Sequence, residues 1–206
     1  MGNPADKRIG ILGGTFNPIH IGHLMLAQDA IEIFDLNRVV FVPCAVPPHK
    51  PTTPLIAGAH RLSMIERAIE WNPFFEVSDL ELKRPGVSYA ADTVAELKRR
   101  YPQTEIFFII GLDMLAELHR WRNIQKLLEI CRFVTFARPG VEPVRAADLH
   151  LDPPWPERLL RDVVRGRCLE ISSSDIRYRV AEGLSIHYLV PPEVDMYIAE
   201  HGLYQQ

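Results

Sequence analysis

Short apolar runs alternate with amphipathic stretches along the first two thirds of the chain. Five of the runs have the length and composition of buried β-strands: Arg8–Leu12, Arg38–Val42, Phe74–Val77, Glu105–Ile110 and Arg132–Phe136. Four stretches between them carry apolar residues at helical spacing: Ile21–Phe34, Gly58–Trp71, Tyr89–Tyr101 and Trp121–Ile130. The alternation predicts the α/β class, with a doubly wound, mainly parallel Rossmann-like sheet, helices on both faces and right-handed crossovers.

Two proline-rich segments interrupt this alternation. Pro43–Pro54 contains five prolines, and it predicts an irregular loop after the second strand. Pro139–Pro156 is also rich in proline, and it predicts a surface excursion.

The last part of the chain has a different pattern. We expect a short strand over Cys168–Ile171, followed by helices over Ser173–Glu182 and Glu193–His201. The predicted organisation is one structural unit, in which a Rossmann-like core over residues 1–170 carries a small C-terminal helical subdomain over residues 171–206.

The composition is that of an ordinary globular protein. Of the 206 residues, 47% are hydrophobic, which is enough for a sizeable core. The net charge of -3 provides no global basic field, so no nucleic-acid partner is expected. A polar N-terminus and the lack of a long apolar run predict neither a secretory signal nor a membrane span, hence a cytoplasmic protein. Three scattered cysteines argue against a disulfide framework and a zinc site, and the sequence leaves open whether the chain forms a homo-oligomer.

The segment Gly13–His23 reads GGTFNPIHIGH, directly after the first predicted strand and at the start of the first predicted helix. Its glycines permit a sharp turn and a close approach to a ligand, and the helix start attracts anions. His20 and His23 are three residues apart, so both imidazoles lie on one face of the first turn. We interpret the segment as a phosphate site whose histidines stabilise charge during phosphoryl-type transfer. The alternative is a glycine turn with two incidental histidines, which the coincidence of all these features disfavours.

A second motif, ISSSDIR, occupies Ile171–Arg177 at the start of a predicted helix. The hydroxyls of Ser172, Ser173 and Ser174 and the helix N–H groups form a second anion cradle. Arg177 adds a cation able to make a bidentate contact. Taken alone, the segment favours a capped helix with a surface arginine, but beside the first motif the phosphate cradle is favoured.

Both motifs resemble those of a known superfamily. GGTFNPIHIGH is similar to the nucleotidylyltransferase signature Gly-Gly-Thr-Phe-Asp/Asn-Pro-x-His-x-Gly-His. Its tetrad His20–His23 also resembles that of class I aminoacyl-tRNA synthetases, which would carry a lysine-rich loop in place of the second motif. ISSSDIR resembles the Ile-Ser-Ser/Thr-x-x-Ile-Arg motif that contacts the β- and γ-phosphates of ATP.

Other segments resemble the bacterial nicotinate mononucleotide adenylyltransferases in particular. These are Val46–Lys50, Glu81–Arg84, Ser88–Thr93, Gly111–Asp113 with Trp121 downstream, and the tail His201–Tyr204. The resemblance covers essentially the whole chain. It implies transfer of the adenylyl group of ATP to nicotinate mononucleotide, which forms nicotinate adenine dinucleotide and pyrophosphate in NAD biosynthesis. It also implies Mg²⁺ carried on the ATP phosphates rather than in a protein cage.

The resemblance assigns His20 and His23 to catalysis and sorts the other candidates by ligand. Those for ATP are Gly13, Gly14, Thr15, Phe16, Gly111, Asp113, Ser172, Ser173, Ser174 and Arg177. Those for the nicotinate nucleotide are His49, Lys50, Ser88, Tyr89, Ala90, Thr93, Trp121, Arg122 and Arg138. Asp113 is equally interpreted as the N-cap of the next helix, and stacking of Trp121 on a pyridine ring competes with a place in the core.

The chain departs from the family at two places. Members often carry asparagine where this chain has Cys44 or Ala45, and threonine where it has Ala90, so those side-chain contacts to the acceptor are absent. Three rival functions stay open: another small-substrate member such as a phosphopantetheine adenylyltransferase or a cytidylyltransferase, a non-catalytic nucleotide sensor, and an RNA-directed protein. Val46–Lys50 and Trp121 disfavour the first, the intact histidines disfavour the second, and the acidic net charge disfavours the third.

Overall fold

A computed structural model describes residues 7–48, 55–137, 143–167 and 169–205. The strands of the sheet are β1 (Arg8–Gly14), β2 (Arg38–Pro43), β3 (Phe75–Val77), β4 (Glu105–Gly111), β5 (Arg132–Ala137) and β6 (Val163–Arg165). The α-helices of the described ranges are α1 (Ile21–Phe34), α2 (Gly58–Ile69), α3 (Ala90–Arg100), α4 (Leu112–Ala116), α5 (Ile124–Ile130), α6 (Trp155–Arg161), α7 (Ser173–Ala181) and α8 (Pro192–Glu200). Short 3₁₀ helices span Leu118–Arg120 and Ala146–Asp148.

The six strands form one sheet in the order β3-β2-β1-β4-β5-β6. β4 pairs in parallel with β1 and β5, and β5 pairs in parallel with β6. In β4 the five residues Ile106–Ile110 are all buried, as expected for a parallel strand covered on both faces. The predicted α/β class with a Rossmann-like, mainly parallel sheet is confirmed.

The chain divides into two compact units, each assembled from three segments. Unit 1 comprises Met1–Leu12, Leu26–Val39 and Tyr89–Cys168, and its helices α3 and α5 pack against each other. Unit 2 comprises Gly13–Met25, Val40–Ser88 and Leu169–Gln206. In unit 2, helix α2 packs against both α8 and β3. The domain boundary predicted at residue 170 stays a prediction.

The long periodic elements were predicted well. Helix α1 has the predicted bounds Ile21–Phe34. The five predicted strands correspond to β1, β2, β3, β4 and β5, and their bounds differ by one or two residues at the ends. Among the described residues, no helix is both long and apolar enough to cross a membrane.

Two predictions on the chain's second half were wrong. Residues 169–171 are not a strand, and the sixth strand is Val163–Arg165, which takes its extended form by pairing with the edge of β5. The helix predicted from Trp121 begins at Ile124, because Trp121 lies in extended backbone after a 3₁₀ helix. The described part of the predicted surface excursion, residues 143–156, is mostly exposed or half-buried, although Leu149 is buried and α6 begins at Trp155.

Candidate active site

The turn between β1 and α1 brings the first motif together in unit 2. Phe16 has φ 47°, in the left-handed region, and its ring is buried beneath the glycines. A Cβ on Gly14 would lie 3.2 Å from Phe16 Cζ, so a larger residue there would push the ring away. The ring of Phe16 meets that of His23 edge-on with centroids 5.0 Å apart. Phe16 therefore supports a histidine with its side chain, while only its backbone is left for a ligand.

His20 and His23 form a stacked pair at the start of α1. Their ring centroids are 3.6 Å apart with an interplanar angle of 24°. The backbone N–H of His20 donates to His23 Nδ1 at 3.2 Å, and this bond places the proton of a neutral His23 on Nε2. A Cβ on Gly22 would lie 3.1 Å from His20 Nδ1, so the glycine between the histidines provides room for the stack. The predicted common face of the two imidazoles is observed.

The second motif binds directly to the first within unit 2. Ser172 is the N-cap of α7 as predicted, and its Oγ accepts from the backbone N–H of Asp175 at 3.1 Å. Ser173 Oγ donates to the carbonyl of Pro18 at 2.8 Å. Arg177 donates through Nη1 to the carbonyl of Asn17 at 2.8 Å and through Nη2 to Ser174 Oγ at 3.1 Å. The start of α7 and the histidine-bearing turn therefore form one polar cluster.

Two residues that were not among the predicted site residues also hold this turn. Arg61 of α2 is buried, and it donates through Nη1 to the carbonyl of Thr15 at 2.8 Å and through Nε to that of Ile56 at 3.2 Å. Burial lowers the pKa of Arg61. The hydroxyl of Tyr204 donates to Oδ1 of the buried Asn17 at 2.9 Å. No local pattern marks these residues, because their partners lie far away in the sequence.

Cys44 lies beside this cluster in unit 2. Its backbone N–H donates to the carbonyl of Gly14, the last residue of β1, at 2.9 Å, directly after the end of β2. Burial raises the pKa of the Cys44 thiol, although the nearby Arg61 lowers it. The raised pKa favours the thiol over the thiolate, which is the nucleophilic form of cysteine.

Gly111 and Asp113 lie at the carboxyl end of β4 in unit 1. The N-cap of α4 is Gly111 and no side chain makes a capping bond, so the N-cap interpretation of Asp113 is wrong. A Cβ on Gly111 would lie 2.5 Å from Asp113 Oδ1, so the exposed Asp113 carboxylate folds back over the glycine. In open α/β sheets, ligands bind at the carboxyl ends of the strands, where this carboxylate lies.

The predicted residues for the acceptor ring form a second cluster in unit 1. The Arg122 guanidinium lies over the Tyr89 ring, 4.6 Å from its centroid, and 3.6 Å from the Asp92 carboxylate. Trp121 is half-buried and meets Phe108 and Phe133 edge-on with centroids 5.8 and 6.0 Å away. Trp121 therefore packs against core rings with one part of its side chain and leaves another part exposed.

Other predicted acceptor residues have structural partners. In unit 2, Ser88 Oγ accepts from the backbone N–H of Ala45 at 3.0 Å, so its hydroxyl fastens the chain that follows β2. In unit 1, Thr93 is buried, whereas Ala90 is half-buried at the start of α3. The remaining candidates lie outside the described residues, namely His49, Lys50 and Arg138.

The donors around the histidines are suited to phosphate rather than to a bare cation. Ser172, Ser174 and Arg177 supply hydroxyls, helix N–H groups and a guanidinium. Among the described residues, no three histidine, cysteine or carboxylate side chains are grouped so that they could hold a metal ion. A divalent ion that reaches this cluster would be held mainly by the phosphates of a nucleotide.

A parallel α/β sheet with paired histidines and an anion cradle at a strand-to-helix turn defines the class of nucleotide-binding proteins. Residues 11–179 match the sequence profile of a family described as cytidylyltransferase-like. The match spans most of the chain, and the chain therefore belongs to the cytidylyltransferase-like family.

Two curated relatives are similar to this chain over nearly its whole length. The chain is 45% identical to a protein of Desulfitobacterium hafniense strain Y51, over 98% of both chains. It is 46% identical to a protein of Halalkalibacterium halodurans, over 97% of this chain and 92% of the relative. Both relatives are named probable nicotinate-nucleotide adenylyltransferase.

A solved structure shows the same fold. The nicotinic acid mononucleotide adenylyltransferase of Plasmodium falciparum, in complex with NaAD, matches with a TM-score of 0.77. The match covers 96% of this chain and 97% of that one, at 21% sequence identity. The predicted family resemblance is therefore confirmed for the fold and for the sequence.

Proposed function

We propose that the protein transfers the adenylyl group of ATP to nicotinate mononucleotide, forming nicotinate adenine dinucleotide and pyrophosphate in NAD biosynthesis. The carrying observation is the stacked pair His20 and His23, held beside a serine-rich helix start. The names of the two bacterial relatives support the choice of substrate.

The reaction is an in-line displacement at the α-phosphorus of ATP. An oxygen of the mononucleotide phosphate attacks this atom, a new P–O bond forms, and the bond to the β-phosphate bridging oxygen breaks. Negative charge increases on the departing pyrophosphate, and imidazole N–H donors stabilise it. No side-chain nucleophile is required, which agrees with the raised pKa of the Cys44 thiol.

The ATP phosphates are assigned to unit 2. The backbone of Gly13–Phe16 lies against the nucleotide, and His20 and His23 meet the α-phosphate and the bridging oxygen. Ser172–Ser174, with the start of α7, bind the β- and γ-phosphates together with Arg177. In unit 1, Gly111 permits close approach of the nucleoside, and Asp113 accepts from ribose or adenine donors.

The acceptor's pyridine ring is assigned to unit 1. Trp121 stacks on the ring, while the α3 start at Tyr89 and Ala90 and the segment at Arg122 contact its carboxylate end. Thr93 shapes this region from within unit 1, in keeping with its burial, and Ser88 supports the chain after β2 within unit 2. His49, Lys50 and Arg138 are proposed to offset the charge of the mononucleotide phosphate.

A divalent cation completes the reaction. The family generally uses a divalent metal ion, and we propose Mg²⁺, which prefers phosphate oxygens and water to an all-protein cage. When bound, the ion neutralises charge on the triphosphate. This chain's own contribution is the hydroxyls, N–H groups and guanidinium that orient the phosphates.

A pyrophosphate-release assay tests the function. ATP is paired in turn with nicotinate mononucleotide, nicotinamide mononucleotide and phosphopantetheine, and CTP replaces ATP in a parallel series. We expect release with ATP and a pyridine mononucleotide, with the dinucleotide identified by mass. Release with phosphopantetheine alone would indicate another substrate, and ATP binding without release from any pair would indicate a sensor.

Arg177→Ala is expected to raise the KM for ATP about tenfold, because a hydrogen-bonded cation facing phosphate contributes on the order of 1.5–3 kcal/mol. Arg177→Lys should restore only part of the loss, since one ammonium cannot span both Asn17 and Ser174 as the guanidinium does. Steady-state kinetics over a range of ATP concentrations measure the effect.

The matched control for this prediction is Arg179→Ala, on the same helix. Arg179 donates to the carbonyl of Ser185, and its change should leave the KM for ATP close to native. Unchanged kinetics in Arg177→Ala would mean that Arg177 only tethers the turn.

A further inference from the structure

Side chains from two helices and the C-terminal tail hold the turn that carries the catalytic histidines. The carbonyl of Thr15 accepts from Arg61 of α2, and that of Pro18 accepts from Ser173 of α7. Asn17 is held twice, at its carbonyl by Arg177 and at its side-chain Oδ1 by Tyr204. Three of these contacts involve charged groups or the phosphate motif, whereas the fourth comes from a tail with no part in the chemistry described above.

The position of the C-terminal tail, residues 201–205, depends on how α8 packs and how it ends. Tyr197 of α8 is buried, and its hydroxyl lies 2.9 Å from His60 Nδ1 on α2. After α8 the N–H of Gly202 donates to Ala199 and that of Leu203 to Ile198, the paired bonds of a Schellman motif. Gly202 has φ 57°, which redirects the chain toward the turn. The position of Tyr204 is therefore determined by a helix that is itself anchored.

We propose that Tyr204 is a positioning residue: its hydroxyl, through Asn17 Oδ1, holds the histidine-bearing turn in the geometry that the transfer requires. The inference rests on the proposed function, and it makes the C-terminal tail a working part of the active site. Burial raises the pKa of Tyr204, which favours the protonated phenol that donates to Asn17 Oδ1.

The hydrogen bonds to the turn direct its carbonyl acceptors toward protein donors. In a trans peptide the carbonyl and the following N–H point in opposite directions. Fixing the carbonyls of Thr15 and Pro18 therefore directs the N–H groups of Phe16 and Ile19 away from the tethers. Loss of the Tyr204 donor leaves Asn17 Oδ1 buried without its partner, and the turn must move to solvate it.

The chain offers a set of conservative variants for the test. Tyr204→Phe removes one hydroxyl and keeps the ring. Tyr188→Phe makes the same change at a tyrosine that is 92% exposed, and it serves as the control. Asn17→Asp keeps an acceptor for Tyr204, and it loses no described bond, because Nδ2 of Asn17 bonds to none of the described residues. Asn17→Ala removes the acceptor.

We expect Tyr204→Phe to lower kcat about tenfold while the KM for ATP stays near that of the Tyr188→Phe control. The Tm should fall by only a few degrees, since one buried acceptor loses its donor. Asn17→Asp should retain more activity than Asn17→Ala, because it keeps the acceptor for Tyr204. In the Asn17→Ala background, Tyr204→Phe should have no further effect, because the two residues act through one bond. An equal loss in both backgrounds, or native turnover in Tyr204→Phe, would overturn the inference.

Hydrogen exchange provides a readout that does not depend on the reaction. Exchange of the peptide that spans residues 13–23, followed by mass spectrometry, should be faster in Tyr204→Phe than in the native protein and unchanged in Tyr188→Phe. Equal exchange in all three proteins would overturn the inference even if the native protein is active. An inactive native protein would contradict the proposed function alone, while the exchange result would still decide the role of Tyr204.

Discussion

Replacing either catalytic histidine by alanine is expected to lower kcat by about a hundredfold or more, which is the scale of losing one preorganised donor to developing charge. ATP binding should change far less, because the turn and the α7 start keep their contacts to the phosphates. His23 gives the cleaner result, since it is half-buried and His20 is 7% exposed, so His23→Ala leaves the smaller internal void. The stack of the two rings predicts that each single change also disturbs its neighbour.

The measurement combines steady-state kinetics with titration of an ATP analogue. His187→Ala is the control, because that imidazole is 71% exposed and pairs only at 3.4 Å with Asp195. The kcat of the double variant His20→Ala/His23→Ala should be close to that of the less active single variant, as is found for residues that act as one unit. Near-native turnover in both single variants would contradict the proposed mechanism.

Nicotinate mononucleotide is expected to be a better acceptor than nicotinamide mononucleotide by about a hundredfold in kcat/KM, or about 2.7 kcal/mol. The N–H groups of Asp92 and Thr93 donate back to the carbonyl of Tyr89, which leaves those of Ala90 and Ala91 as first-turn donors without a helical acceptor. A carboxylate accepts from such donors with both oxygens, and the helix dipole favours its charge. A carboxamide must turn an NH₂ toward one of them, which leaves a buried donor unsatisfied.

The local charges support this preference. The Asp92 carboxylate would repel the carboxylate of the substrate. The Arg122 guanidinium lies 3.6 Å from the Asp92 carboxylate and offsets the charge of Asp92. The backbone N–H of Trp121 donates to the carbonyl of Leu118 as the 3₁₀ helix ends, so it is not left for the acceptor ring. The discriminating donors are therefore expected at the α3 start.

Both acceptors are compared under identical ATP and Mg²⁺ concentrations. Arg122→Ala should reduce the acid-to-amide ratio, because it leaves the Asp92 charge uncompensated. Arg120→Ala removes a neighbouring arginine that pairs with Glu117 at 2.6 Å, and it should leave the ratio unchanged. Equal use of both acceptors by the native protein would indicate dual specificity, and a preference for the amide would overturn the assignment.

Local signals in the sequence predicted most of the framework. Helix α1 was predicted to the residue because its apolar spacing and the motif before it are contiguous. Strand β6 was missed because it has three residues, none of them buried, and its extended form depends on pairing with β5. Helix α4 was missed because five residues are too few to show a helical period.

The sequence by itself determined the α/β class, the two phosphate motifs and the family, since each depends on residues that are close neighbours along the chain. Only the tertiary structure decided how the histidine turn is held. Tyr204 and Asn17 are 187 positions apart, Arg177 and Asn17 160, and Arg61 and Thr15 46. A tyrosine near the end of a chain and an arginine within a helix look like surface residues until folding buries them against the same turn. The packing of these side chains against the turn, which exists only in the folded chain, is what makes those hydrogen bonds specific.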